Sequence, residues 1–267
     1  MKNDTISSEV KKMIDLENAK KEFLDYTSQF DKKNKNIERK IGHSLRVMEI
    51  STRISKTLNL NQEEEQIASL IGLLHDIGRF KQYSQYQTFQ DSKSIDHGKL
   101  GVEILLKENQ IQKYVKDSKW NRTIEKAIYN HNKYGFDTTL TNKEEFFCKL
   151  IKDSDKLDIL YEACEIFWKN QEKTRIKDSI SPEVWQEFNH EKLVQNKNKN
   201  TEADIIVGMI SFIFDFNFEE SYKIIEEKKY IERMIKQFDF EKEEILNQIK
   251  EIERYANKYI KKKIDKG

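Results

Sequence analysis

The stretch LIGLLHDIGRF, residues 70–80, is apolar until a histidine and an aspartate stand side by side in it. His75 and Asp76 are costly to bury, because an unpaired charge in a protein interior is strongly destabilising. The pair therefore needs a partner, and a metal cation is the first one to consider.

The composition favours helices and gives no sign of a general nucleic-acid binder. The 267 residues include one proline, eight glycines and 36% charged residues, and the formal net charge is +1. The start, MKNDTISSEV, lacks the apolar core of a signal peptide, and the most apolar windows, 67–74 and 205–214, are too short to span a bilayer. Cys148 and Cys164 form no CxxC pattern and are expected to be free thiols. We therefore expect a soluble cytoplasmic protein.

Apolar residues recur at spacings of three and four almost throughout the chain, which predicts an all-α fold. The predicted helices cover residues 7–30, 37–58, 62–78, 96–109, 120–132, 143–169 and 203–214, and charged helices follow to the end. The third helix is apolar on most sides and should be central. The polar, aromatic-rich stretch 79–94 breaks the periodicity, and segment 170–204, which carries the proline, should be rich in loops.

The last predicted helix has a coiled-coil spacing over barely two heptads, at Ile245, Ile249, Ile252, Ala256 and Tyr259. A seam this short favours packing onto the chain's own body, although a homodimer stays open. We divide the chain into an N-terminal helix that packs on the core (1–36), a core (37–169) and a helical C-terminal extension (170–267).

Four of the five histidines lie on apolar helical faces, whereas His190 lies in a polar stretch and is expected at the surface. The four are His43 with Val47 and Ile50, His75 with Ile67 and Ile71, His97 with Gly101 and Ile104, and His131 with Ile124 and Ala127. Asp155 points inward if Phe147 and Ile151 do. One such histidine would be an ordinary core residue, but four with two aspartates indicate a transition-metal site between helices.

These residues resemble a known signature. His43, the HDIG of residues 75–78 and Asp155 are similar to the H…HD…D pattern of the HD superfamily of metal-dependent phosphohydrolases. His97 in HGKLG (97–101) and His131 in YNHNKYG (129–135) resemble the two extra histidines of its dinuclear branch. At the place where HD-GYP phosphodiesterases carry Gly-Tyr-Pro this chain has no proline, which argues against cyclic di-GMP as the substrate.

The resemblance implies an HD-domain helical bundle with two divalent metal ions. Fe or Mn are expected first, with Mg, Zn or Ni as alternatives. The implied ligands are His43, His75, Asp76, His97, His131 and Asp155.

The resemblance also implies a reaction, in which two ions activate a bridging hydroxide that attacks a phosphoester. The catalytic residues would be Asp76, Arg79 and Lys156. Substrate contacts would come from Arg79, Lys133, Lys156 and Tyr83, the last from an aromatic stretch that could stack a base. The alternative for each cation is a surface salt bridge, and for the aromatic stretch it is ordinary packing.

Four neighbouring residues have simpler interpretations. Asp96 should cap a helix, and Arg46 should pair with a buried carboxylate. Asp158 is expected to support a metal-bound histidine, and Asp153 should lie on a solvated helix face.

The predicted function is hydrolysis of a phosphomonoester or phosphodiester of a small molecule, with a nucleotide as the favoured class. Two alternatives stay open. The same six ligands are similar to those of HD-fold mixed-valence di-iron oxygenases, and a regulatory module could bind a nucleotide without turnover.

Overall fold

The computed structural model describes residues 14–31, 33–136, 139–168 and 173–266, and this part of the chain is helical apart from one two-stranded sheet. The helices are α1 Leu16–Thr27, α2 Lys35–Ser55, α3 Gln62–Leu74, α4 Ile77–Tyr86, α5 His97–Val102, α6 Asn121–Asn130, α7 Asn142–Glu162, α8 Pro182–Asn189, α9 Glu202–Ile210, α10 Glu219–Lys228, α11 Tyr230–Ile235 and α12 Glu243–Ile264. Strand β1 (Thr174–Ile176) pairs in parallel with β2 (Phe238–Phe240). The sequence did not predict these strands, because three residues are too few to show an alternating pattern.

Helix α3 lies at the centre, as predicted. All residues from Ile67 to Leu74 are buried, and a capping box between Asn61 and Glu64 fixes the start of the helix. Helices α2 and α7 pack against it. A side chain at Gly72 would reach within 2.9 Å of the Met48 backbone, so this glycine allows α2 and α3 to approach closely.

The predicted third helix is divided. It ends at Leu74 instead of Gly78, and α4 follows at once. The first half of the stretch 79–94 is therefore helical, although the sequence placed a break in the helical periodicity there. The pattern was hidden because a polar residue, Gln82, occupies a buried position of α4. Its amide group donates to Asp91, Ser94 and the Ile95 carbonyl, which satisfies it inside the protein.

Other boundaries also differ. Helices α5 and α7 continue as wider π-helical turns over Glu103–Lys107 and Ala163–Phe167, and α9 ends in a 3₁₀ turn, Ser211–Phe214. Segment 170–204 contains α8, which starts with Pro182, a position where the missing N–H costs nothing. The start of the predicted first helix, residues 7–13, lies outside the described residues.

The coiled-coil spacing at the C-terminus serves the chain's own packing. Ile245, Ile249, Ile252 and Ala256 of α12 are buried, and α12 lies against α10 and α11. This confirms the favoured prediction, and a homodimer would need another surface. Within the described ranges, no helix combines the length and the apolar character needed to cross a membrane.

Candidate metal centre

Six side chains from different helices converge in the interior. His43 comes from α2, His75 follows α3, Asp76 precedes α4, His97 opens α5, His131 follows α6 and Asp155 lies in α7. The first five are buried, and the Asp155 side chain is 20% exposed. The structure therefore brings together all six residues that the resemblance named.

The break between α3 and α4 brings His75 and Asp76 to one site. Neighbouring residues of a continuous helix diverge by about 100°, whereas here His75 Nε2 lies 3.7 Å from Asp76 Oδ2. Gly78 supports the same arrangement, because a Cβ there would collide with the carbonyl oxygen of His97 and lie 2.7 Å from the nitrogen of Gly101. The glycine of HDIG thus lets α4 touch α5 and brings His97 to Asp76.

The Asp76 carboxylate lies between two groups of donors. Its Oδ2 is 3.4 Å from His43 Nε2, and its Oδ1 is 3.3 Å from His97 Nε2 and 3.6 Å from His131 Nε2. Asp155 Oδ1 joins the first group, 3.2 Å from His43 Nε2 and 3.6 Å from His75 Nε2. The Asp76 carboxylate joins the two groups, and His75 also lies near the second group, with its ring centre 5.1 Å from that of His131.

Each imidazole is oriented by an oxygen atom on its outer side. The Nδ1 acceptors are Asp158 for His43 (2.7 Å), the Gly72 carbonyl for His75 (2.8 Å), Asp91 for His97 (2.7 Å) and the Ile128 carbonyl for His131 (2.6 Å). Because these oxygens accept, each Nδ1 carries the hydrogen, and in the neutral imidazole that binds a metal ion Nε2 is the nitrogen that presents a lone pair.

The inner nitrogens lie close to one another. The Nε2 atoms of His43 and His75 are 3.2 Å apart, and those of His97 and His131 are 2.9 Å apart. Facing lone pairs repel unless a cation lies among them, so the donor set fits metal ions.

The buried carboxylates of this site stabilise positive charge. Burial and Lys40 lower the pKa of His43, but hydrogen bonds to Asp155, Asp158 and Asp76 outweigh them and raise it to about 10. Burial raises the pKa of Asp76, yet Lys40 and the surrounding histidines hold it well below its usual range. Lys40 Nζ donates to Asp76 Oδ2 at 2.6 Å.

The neighbouring residues largely follow the sequence. Asp158 supports His43 and also accepts from Arg46, and Asp96 caps α5. His190 is exposed, and Cys148 and Cys164 are buried free thiols.

Asp153 is buried, so the expectation of a solvated face was wrong. Its carboxylate accepts from the backbone and side chain of Asn217, the backbone of Phe218 and the hydroxyl of Ser221. The chain beyond residue 214 covers this face of α7, and the local sequence pattern around Asp153 does not predict such a contact.

The four residues predicted to contact substrate lie on two sides of the centre. Lys133 and Lys156 line a cavity of about 260 Å³ together with His131 and Asp155. Lys133 pairs with Asp96, and Lys156 donates to Asp215 at 2.5 Å.

Arg79 and Tyr83 are not among the residues that line this cavity. Arg79 Nη1 donates to Gln82 and Asp91, both at 2.9 Å, and to the Phe89 carbonyl. Its Nε lies 3.5 Å from Asp76 Oδ1 and has no hydrogen-bond partner among the described residues. The Tyr83 hydroxyl accepts from Asn36, and its ring lies 4.7 Å from that of Phe89. Roles in substrate binding stay predictions for all four residues.

Sequence reasoning missed several residues at this centre, namely Lys40, Asp91, Lys152 and Lys199. Lys40 and Lys152 each precede a predicted ligand by three residues, on the same helix face as His43 and Asp155, and this spacing could have identified them. Lys199 lies in a Lys/Asn run that carries no such signal.

A family model of the HD domain matches residues 41–215. The chain belongs to the HD domain family. The family match includes all six converging residues. It continues past residue 169, where the sequence placed the end of the core, to Asp215, the last residue in the chain that lines the cavity. Neither the curated proteins nor the solved structures give a significant match. Membership places the chain in a superfamily of metal-dependent phosphohydrolases, and its buried His/Asp clusters are compatible with metal binding.

Proposed function

We propose that the chain is a phosphohydrolase that uses two divalent metal ions, Fe or Mn, to cleave a phosphomonoester or phosphodiester of a small molecule, specifically a nucleotide. Mg, Zn or Ni would be alternative occupants. The observation that carries the proposal is the position of Asp76, whose two oxygens face different histidines. A carboxylate shared in this way is suited to bridging two ions.

We assign the ligands by these distances. His43, His75 and Asp155 would hold one ion with Asp76 Oδ2, and His97 and His131 would hold the other with Oδ1. The outer oxygens support this assignment, because a ligand whose Nδ1–H is held by an acceptor keeps its ring orientation and its basicity.

When bound, divalent ions neutralise charge on a phosphoryl group and lower the pKa of a water molecule. The chain's own residues would position the metal centre and compensate the negative charge of the phosphate. Asp76 would hold the two halves of the centre in register, and Lys156 and Lys133 would offset phosphate charge from the cavity side. Arg79 would contact the substrate through its Nε. Tyr83, whose ring lies next to Phe89, would stack on the base of the nucleotide.

We keep the division into residues 1–36, 37–169 and 170–267 as units of organisation. The two buried free thiols support a reducing, cytoplasmic location. The proposed partner is a small phosphorylated molecule, without general nucleic-acid binding.

The test combines metal analysis of the purified chain with a panel of p-nitrophenyl phosphate, bis-p-nitrophenyl phosphate, nucleotides and cyclic nucleotides, assayed with and without O₂. Hydrolysis that is independent of O₂ and lost on chelation is the expected result. Turnover only with O₂ would indicate the di-iron oxygenase alternative, and nucleotide binding without turnover would indicate a regulatory module.

A further inference from the structure

The cavity beside His131 and Asp155 has walls from two distant parts of the sequence. The inner wall comes from the segment after α6 and from α7, including Lys152. The outer wall comes from residues 193–215, including Lys199 and Asp215. The backbone N–H of Asn196 donates to the Tyr134 hydroxyl at 2.6 Å, which joins the two walls at one edge.

Positive charge prevails in this cavity, where four lysines face two aspartates. Lys133 and Lys156 are paired with Asp96 and Asp215, but Lys152 and Lys199 have no carboxylate within ion-pair distance in the described part of the chain. Lys152 is 5% exposed, and its Nζ lies 3.5 Å from the Tyr134 carbonyl oxygen and 4.6 Å from the centre of the Phe136 ring. Lys199 Nζ donates to Asn196 Oδ1 at 2.9 Å.

Two ammonium groups held in this way are unfavourable on their own. Removing a charge from water is costly, and burial lowers the pKa of both lysines more than the more distant Asp215 near Lys152 and Glu187 near Lys199 raise it. An anionic group between them would offset that cost, and phosphate is an anion that lysine commonly binds as a point charge.

Gly208 of α9 leaves space for the side chain of Lys199. Its side chain crosses α9 at Gly208, where a Cβ would collide with Lys199 Cε and lie 2.8 Å from Nζ. A glycine inside a helix is less favourable than an alanine. Helix α9 carries this glycine where the lysine stem passes, which leaves room for Lys199 to lie against the helix.

We propose that Lys152 and Lys199 bind a second phosphate group of the substrate, so that the substrate carries one phosphate at the metal centre and another in this cavity. The proposal rests on the proposed function for the first phosphate only, since binding of the second requires no hydrolysis. It narrows the substrate class to small molecules that carry two separate phosphate groups, such as nucleoside bisphosphates.

The test is calorimetric titration of the metal-loaded full chain with phosphonates, which contain no ester bond to hydrolyse. Propylphosphonate is compared with propane-1,3-diphosphonate, and hexylphosphonate with hexane-1,6-diphosphonate. A charge-assisted hydrogen bond contributes about 1.5–3 kcal/mol, so the better-fitting diphosphonate should bind about ten- to a hundred-fold more tightly than its monophosphonate.

Lys152→Met and Lys199→Met should each reduce this preference, and the double variant should abolish it while monophosphonate affinity is kept. Gly208→Ala should reduce it by displacing Lys199, with the melting temperature unchanged or raised. Lys192→Met, an exposed lysine outside the cavity, is the matched control and should keep the preference. Equal affinity for both members of each pair in the wild type, or an unchanged preference in the double variant, would overturn the proposal.

Hydrolysis of p-nitrophenyl phosphate by the same preparations separates the two proposals. Diphosphonate preference without hydrolysis would support the second-phosphate site and contradict the proposed function. Hydrolysis without a preference for the diphosphonates would support the proposed function and contradict the second-phosphate site.

Discussion

The carboxylate of Asp158 accepts the Nδ1 hydrogen of His43 at 2.7 Å, on the side of the imidazole that faces away from the metal centre. Arg46 holds the other oxygen of Asp158 at 2.6 Å, so both the carboxylate and the imidazole are fixed. We therefore expect Asp158 to act as a positioning residue that affects metal binding.

Asp158→Asn should weaken metal affinity by about 10–100-fold, because an outer partner sets the tautomer and orientation of its ligand. Metal competition with a chromogenic chelator measures this change. Asp239→Asn, at an exposed position of β2, serves as the control. An unchanged affinity in Asp158→Asn would show that His43 is not a ligand or does not depend on this bond.

The number of bound ions should depend on which ligand is removed. Asp76→Ala removes the shared carboxylate and should lose hydrolysis and both ions together. His97→Ala removes a ligand from the Oδ1 side only, so one ion should remain. Elemental analysis of the purified variants gives the stoichiometry, and a single ion in the wild type would contradict the two-metal assignment.

Removal of the metal should destabilise the whole bundle, because the ligands join α2, α3, α4, α5, α6 and α7. A ligand at a hundred times its dissociation constant contributes about 2.7 kcal/mol, which corresponds to a melting temperature lower by about 5–10 °C after chelation. Differential scanning calorimetry with and without EDTA measures the shift. An identical melting curve would argue against a buried site.

Arg79→Ala should lower kcat/KM by about one to three orders of magnitude if the guanidinium contacts the transition state, with both ions retained because arginine does not ligate metals. Arg79→Lys should recover only part of the activity, since a point charge does not reproduce the planar fork.

The structure adds a second readout for this variant. Arg79 also holds Asp91, which orients His97. Loss of one ion in Arg79→Ala would mean that Arg79 acts through Asp91. Full activity on every substrate would mean that Arg79 only forms a structural salt bridge.

Asp153→Ala should destabilise the protein through the C-terminal segment. The change leaves donors from Asn217, Phe218 and Ser221 without their acceptor, and a hydrogen bond to a charged group contributes about 1.5–3 kcal/mol. Urea unfolding should therefore show a loss of at least about 2 kcal/mol. Asp178→Ala, at an exposed position, should unfold like the wild type. Equal stability of the two variants would mean that the segment is held by its apolar contacts alone.

The sequence by itself determined the helical class, the central place of α3 and the six residues that converge. These properties are written in local patterns, because a helix repeats its buried face every three to four residues and a ligand on that face must point inward. The inward direction of Asp155, for example, followed from Phe147 and Ile151 alone.

Only the tertiary structure decided how these residues meet. The break after Leu74 turns His75 and Asp76 toward one point, and Gly78 brings α5 close enough for His97 to reach the other oxygen of Asp76. The cavity wall was equally hidden, since Lys199 lies 47 residues after Lys152 in the chain. Contacts between distant segments depend on packing and not on local periodicity, so a pattern along the chain identifies which residues face inward but not which of them become neighbours.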